Sequence, residues 1–167
     1  MLIIFAGLPG VGKTSLARQL ARRRGAAHLR IDTIEQVLTD AGVDDRNDPG
    51  LGYRLAYALA ADNLRLGLTV VGDSVNSLEL TRDGWRAVAQ AAGTAFVEVE
   101  VICSDAAEHR RRVETRIADI VGHTPPTWRE VEEREYQPWP GERIVIDTAG
   151  RSLEQSLAEL NAALAPR

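Results

Sequence analysis

Lys13 is the only lysine in a chain that carries nineteen arginines. It sits in the run Gly7-Leu8-Pro9-Gly10-Val11-Gly12-Lys13-Thr14-Ser15, which fits G-x-x-x-x-G-K-[ST] at every defined position. At ordinary residue usage a chance match in a chain this long has a probability of roughly half a percent, so this run constrains the fold first. The pattern works only between a buried strand and the start of a helix. There its glycines let successive backbone N–H groups surround an anion.

Both flanks fit. Leu2-Ile3-Ile4-Phe5-Ala6 is a short apolar run of the kind that forms a fully buried parallel strand. Residues 13–24 place Leu16, Ala17 and Leu20 on one helical face and gather Arg22, Arg23 and Arg24 at the C-terminal end, where cations suit the dipole. A compact ammonium on a slim stem reaches between two phosphates, where a planar guanidinium does not fit the same loop. A nucleoside triphosphate is therefore the expected ligand.

The rest of the chain alternates apolar runs with helical stretches. Residues 27–32 and 68–73 read as strands two and three, each ending on a carboxylate, Asp32 and Asp73. Residues 95–103 read as strand four, with Val97, Val99 and Val101 on one face, and 143–147 as strand five. Helices are expected over 33–41, 51–66, 80–92, 106–118, 127–136 and 152–164, with a polar loop at 42–50. This alternation implies one α/β domain over residues 1–167, a parallel sheet covered on both faces. Ligands of such sheets bind beyond the carboxyl ends of the strands, where the glycine loop, Asp32 and Asp73 all fall.

Composition narrows the partners. A net charge of −4 argues against broad electrostatic binding of nucleic acid. Cys103 is the single cysteine, which excludes an internal disulfide and a cysteine zinc cluster, and its apolar setting predicts a buried thiol. No stretch is long enough to span a bilayer. The apolar start lacks the basic region of a signal peptide, and a cytoplasmic location is expected.

Around the phosphates, the Thr14 hydroxyl is expected on Mg²⁺, with Asp73 as the metal-side carboxylate at a strand end. Asp32 has two readings. It is either the base that takes a proton from an attacking hydroxyl or the N-cap of the next helix, with Glu35 three residues on completing a capping box. Arg112 and Arg116 are four apart, which puts them on one helical face. They read either as a solvated basic surface or as part of a lid, over about 109–138, that closes on the transferring phosphoryl group. Tyr53 and Tyr57 share a face of the 51–66 helix and serve either the core or an acceptor pocket.

In this order of parts the chain resembles the small P-loop kinases, the group of chloramphenicol phosphotransferase, gluconate kinase, zeta-type toxins and polynucleotide 5′-hydroxyl kinases. The carriers of the resemblance are the Walker loop, Asp73-Ser74-Val75-Asn76 after strand three, Arg112-x-x-x-Arg116, and Ile146-Asp147-Thr148-Ala149. The resemblance implies a three-layer α/β/α fold with strand order 2-3-1-4-5 and ATP with Mg²⁺ as donor. It implies Lys13, Asp32 and Arg116 as catalytic residues, with Arg112, Asp147, Thr148 and Ala149 beside the nucleotide. The acceptor is expected among Asp32, Glu35, Tyr53 and Asn76. The polynucleotide kinases of this group carry Arg three residues after the catalytic Asp, where this chain has Glu35. That departure favours a small hydroxyl compound, neutral or cationic, such as an antibiotic, sugar or nucleoside.

Two other classes share parts of this pattern. Asp147-Thr148-Ala149-Gly150 spells the D-x-x-G of GTPases, but near the wrong end of the chain, and a chain with one lysine cannot hold N-K-x-D. A regulatory or toxin-like module that binds ATP without phosphorylating a small molecule is separated from a kinase by whether Asp32 is needed for turnover.

Overall fold

A computed structural model describes residues 1–43 and 50–165. Its strands are β1 (Leu2–Ala6), β2 (Ala27–Arg30), β3 (Val70–Asp73), β4 (Phe96–Ile102) and β5 (Ile144–Asp147). They form one all-parallel sheet, as the alternation of strands and helices implies, in the order β2-β3-β1-β4-β5 that the resemblance implies. The helices are α1 (Lys13–Arg24), α2 (Ile31–Asp40), α3 (Leu51–Arg65), α4 (Glu79–Ala91), α5 (Ala106–Thr115), α6 (Trp128–Glu132) and α7 (Leu153–Ala163). No helix among the described residues is long and apolar enough to cross a membrane. The polar loop expected at 42–50 lies mostly outside the described residues.

Strand alternation divides the core in two. Ile3 and Phe5 of β1 join Val71, Val99 and Val101 against α1 and α7, while Leu2 and Ile4 face Trp85, Ala56 and Ala60 of α3 and α4. Every residue of β1 is fully buried, so the loop that follows it stands on the central strand of the sheet.

Glu98 and Glu100 alternate with the valines of β4 and are also buried. Arg86 grips Glu98 through two parallel bonds of 3.0 and 3.1 Å, and Arg143 pairs with Glu100. Charges inside this face are tolerated because each meets a guanidinium.

Two expected boundaries move in ways that matter for the site. Strand two ends at Arg30, not Asp32: Arg30 pairs with Asp73, the last residue of β3, so the chain beyond has no ladder partner and coils at once into α2. Asp32 is thus the second residue of a helix. The cap position belongs to Arg30, which makes no side-chain cap, and the capping box of Asp32 with Glu35 does not form. The basic helix stops at Thr115 rather than near 118, and Arg116 is extended (φ −63°, ψ 131°). Arg112 and Arg116 therefore do not share a helical face. Further on, Thr127 and Glu130 form a capping box at the start of α6, which ends at Glu132 rather than running on to Tyr136.

Candidate active site

The glycine loop leaves β1 in a conformation that side chains would block. Gly7 has φ +143°, and a Cβ there would lie 2.3 Å from the Val101 carbonyl oxygen. At Gly10 (φ +88°) a Cβ would lie 2.5 Å from Val113 Cγ2, because α5 leans on the loop. His109 Nε2 fixes that contact by donating to the Pro9 carbonyl (2.8 Å). α1 then starts after Gly12 with no side-chain cap. Its first-turn N–H groups lack intrahelical partners by construction and open onto a cavity of about 1170 Å³ lined by the loop.

Behind the loop sits a buried charge cluster. Lys13 Nζ lies 2.8 Å from Asp73 Oδ1, Thr14 Oγ1 donates to the same oxygen at 3.3 Å, and His28 Nε2 lies 3.1 Å from Oδ2. Asp73 is 1 % exposed and Lys13 6 %. Burial alone would push the Asp73 carboxyl up, but the Lys13 ammonium and the bonds from His28 and Lys13 more than offset it and hold the group well below the usual carboxylate range.

The hydroxyl of Thr14 and the carboxylate of Asp73 are the hard oxygen donors that Mg²⁺ prefers. Among the described residues no group of three or more His, Cys, Asp or Glu gathers to hold a metal. A cation here would thus depend on phosphate oxygens for most of its ligands, as Mg²⁺ in phosphoryl-transfer sites does.

Thr148 ties the loop to the sheet. Its hydroxyl lies 2.8 Å from the Val11 carbonyl and 3.0 Å from that of Ile102, and Arg112 donates to its Oγ1 (2.8 Å) and its carbonyl (3.0 Å). Glu108 holds Arg112 from the other side (2.6 Å). Asp147 accepts from the backbone N–H of Ser104 and Ala149, both at 3.0 Å, and from the Ser104 hydroxyl. Thr148 and Arg112 line the cavity, while Asp147 and Ala149 do not. Cys103 is buried beside them, and burial pushes its thiol up.

Across the cavity stand Asp32, Glu35 and Tyr53, brought to one wall by α2 and α3, with Arg116 on the same cavity. Gly52 of α3 lets Glu35 approach: a Cβ there would lie 2.6 Å from Glu35 Cγ. Burial pushes the Tyr53 hydroxyl up, and that oxygen accepts from the Asn76 N–H at 3.4 Å.

Asn76 itself departs from expectation. It is fully buried at φ +47°, its Nδ2 donates to the Phe5 carbonyl (2.7 Å), and it does not line the cavity. Its side chain braces the turn after β3 against β1 instead of meeting an acceptor.

Several cavity residues are absent from the sequence-based reading. Arg30, Arg18 and Asp119 form an ion-paired group beside Asp32, and Arg134 reaches the cavity from beyond α6. His28 completes the Asp73 cluster. The one local signal was Arg30, a charge at the inner end of a strand, two residues before a candidate base.

The AAA domain family matches residues 2–125. A shikimate kinase of Frankia casuarinae is 33% identical, covering 99% of this chain and 73% of that protein. Among solved structures, a gluconokinase from Sinorhizobium meliloti superposes with a TM-score of 0.67 at 20% identity, over 97% of this chain and 90% of that one. The Mycobacterium tuberculosis APS kinase CysC in complex with AMPPNP and APS gives 0.66 at 22% identity, over 98% and 96%. The chain belongs to the AAA domain family and is an ATP-dependent P-loop kinase.

Proposed function

We propose that the protein transfers the γ-phosphoryl group of ATP to a hydroxyl of a small molecule. The observation that carries this reading is one cavity with the phosphate loop on one wall and Asp32, Glu35 and Tyr53 on another. At about 1170 Å³ the cavity exceeds the usual upper size of about 1,000 Å³ for a single ligand pocket, which suits a nucleotide and an acceptor together. The relatives also point to small acceptors, being kinases of shikimate, gluconate and APS by name.

In this reading the loop N–H groups and the start of α1 bind the β- and γ-phosphates. Lys13 exchanges Asp73 for the phosphate oxygens. Thr14 and Asp73 would hold Mg²⁺, which would supply charge neutralisation when bound. Arg112 lies beside the adenine with Thr148, and residues 109–138 act as a lid that brings Arg116 to the phosphates.

The acceptor oxygen attacks the γ-phosphorus while its proton passes to the Asp32 carboxylate. The new O–P bond forms as the bond from the γ-phosphorus to the β–γ bridging oxygen breaks, and ADP leaves with that oxygen. Glu35 and Tyr53 shape the acceptor wall.

A screen of hydroxylated metabolites and antibiotics for ADP release identifies the acceptor class. On the best acceptor, Asp32→Asn lowers kcat by about 10²–10⁴ and leaves the Kd of ATP unchanged. Equal turnover by the two proteins would leave Asp32 with a helix-terminal role only.

A further inference from the structure

Arg30 is a buried cation whose neighbours are unusual for a structural residue. It is 7 % exposed, at the end of β2, and lines the cavity next to Asp32. Its guanidinium grips Asp119 through two bonds, Nη1 to Oδ2 at 2.8 Å and Nη2 to Oδ1 at 3.0 Å. Arg18 of α1 donates to Oδ2 as well, at 2.5 Å. Nη2 also donates to Asp32 Oδ2, a longer ion pair of 3.5 Å. Nε of Arg30 is buried with no partner among the described residues.

Asp119 comes from the stretch between α5 and α6, which has no regular structure, and its side chain is 41 % exposed. Of the apolar residues around it, Ile117 is 89 % exposed and Val121 94 %, while Ala118 and Ile120 are half-buried. Its ion pairs to Arg30 and Arg18 tie this segment to β2 and α1. The bond from Arg30 and then that from Arg18 hold the Asp119 carboxyl well below the usual carboxylate range. The same three residues, Arg18, Arg30 and Asp119, also line a smaller cavity of about 420 Å³. Asp119 thus stands between two spaces, one of which contains the candidate base.

We propose that Arg30 and Arg18 form a carboxylate subsite for the acceptor, filled from within the chain by Asp119 until a substrate carboxylate displaces it. This deepens the kinase reading and rests on it: the acceptor becomes a hydroxy acid, held by its carboxylate at Arg30 with its hydroxyl toward Asp32. A buried guanidinium needs an anion, and Asp119 supplies one whose planar geometry matches the fork. Exchange for a ligand carboxylate keeps both bonds and releases a half-exposed side chain to water. Glu35 in place of an arginine suggests a neutral or cationic acceptor, but the positive charge is supplied here from β2 and α1 instead. The segment that Asp119 anchors is freed by the same exchange, so binding of the acid reports directly to the lid.

The test uses matched pairs, a panel of polyhydroxy acids and their primary amides, assayed for ADP release. The wild type prefers the acid by at least about 100-fold in kcat/KM, since an amide cannot replace the Asp119 carboxylate as the anion of the fork. Asp119→Ala removes the internal competitor and lowers KM for the acid, by about ten-fold, without improving the amide. Arg30→Met and Arg18→Met each erode the preference; the second, at a surface position, covers the case in which the first fails to fold.

A binding arm does not depend on turnover: malonate raises the Tm of Asp119→Ala, and does not do so for Asp119→Ala/Arg18→Met. Acids and amides used alike, a phosphorylated acceptor preferred over the acid, or malonate without effect on Asp119→Ala would overturn the subsite. Malonate binding that depends on Arg18, in a protein that phosphorylates nothing in the panel but does phosphorylate a non-acidic hydroxyl compound, would keep the kinase reading and overturn the subsite's role in holding the acceptor.

Discussion

Lys13→Ala separates two roles that one ammonium plays. With no nucleotide bound, Lys13 is the chief counter-charge of a carboxylate that is 1 % exposed. Removing one partner of a buried ion pair costs about 3–5 kcal/mol. Thr14 at 3.3 Å and His28 at 3.1 Å remain on Asp73, which places the loss near the lower bound, about 3 kcal/mol. With a urea m-value of about 2 kcal/mol/M, the unfolding midpoint falls by about 1.5 M. Lys13→Ala/Asp73→Asn removes the stranded charge and recovers most of that loss, while turnover stays abolished in both proteins.

The pH dependence carries a sign. In the wild type the Asp73 carboxyl is held below its unfolded value, so its stabilisation is fully present above that value and is lost only as pH falls through the folded one. In Lys13→Ala burial is no longer offset by the ammonium, the carboxyl rises, and its protonation relieves the strain. The gap between the two proteins therefore narrows as pH falls from about 7 to about 4. Urea titrations at these two pH values provide the assay. A Lys13→Ala protein as stable as wild type, with no pH-dependent gap, would refute the claim that Asp73 relies on Lys13.

Gly7→Ala tests the loop geometry. The added methyl meets the Val101 carbonyl at 2.3 Å on a backbone with φ +143°, so a stability loss of about 2–4 kcal/mol is expected. Calorimetric titration should show ATP binding lost with it; unchanged ATP affinity would mean that the loop is not held this close to β4.

Arg82→Met tests the brace on the turn after β3. Arg82 is fully buried, donates to the carbonyls of Asn76 (2.8 Å), Gln137 (2.7 Å) and Pro138 (3.0 Å), and stacks 4.1 Å from the Trp139 ring. Loss of these bonds costs about 3–4 kcal/mol, read by urea unfolding, and speeds proteolysis near 136–139. A change under about 0.5 kcal/mol would show that water takes over from the guanidinium.

The parts legible in the sequence are those whose physics is local. The glycine loop specifies itself within a few residues, and the apolar strands between helices carry the parallel sheet, while its order comes from the resemblance to small P-loop kinases. The misplaced parts are decided by residues far away. Strand two ends where β3 ends, at the Arg30–Asp73 pairing, and nothing near Asp32 announces that. The basic helix stops at Thr115, and Asp119, four residues later, meets Arg18 and Arg30, partners 101 and 89 residues distant. The resemblance of Asp73-x-x-Asn76 to small P-loop kinases implies an acceptor contact at Asn76, yet its amide is needed by the Phe5 carbonyl 71 residues away.

The acceptor end suffers most from this, because its character depends on which charges cancel. Counted along the chain, Asp32 and Glu35 make it acidic. In space, Arg30 and Arg18 line the same cavity, and the carboxylate they share, Asp119, comes from the irregular stretch between α5 and α6. If that carboxylate moves away, two guanidiniums offset the two carboxylates of Asp32 and Glu35, and an acidic substrate is no longer repelled as the count along the chain implies.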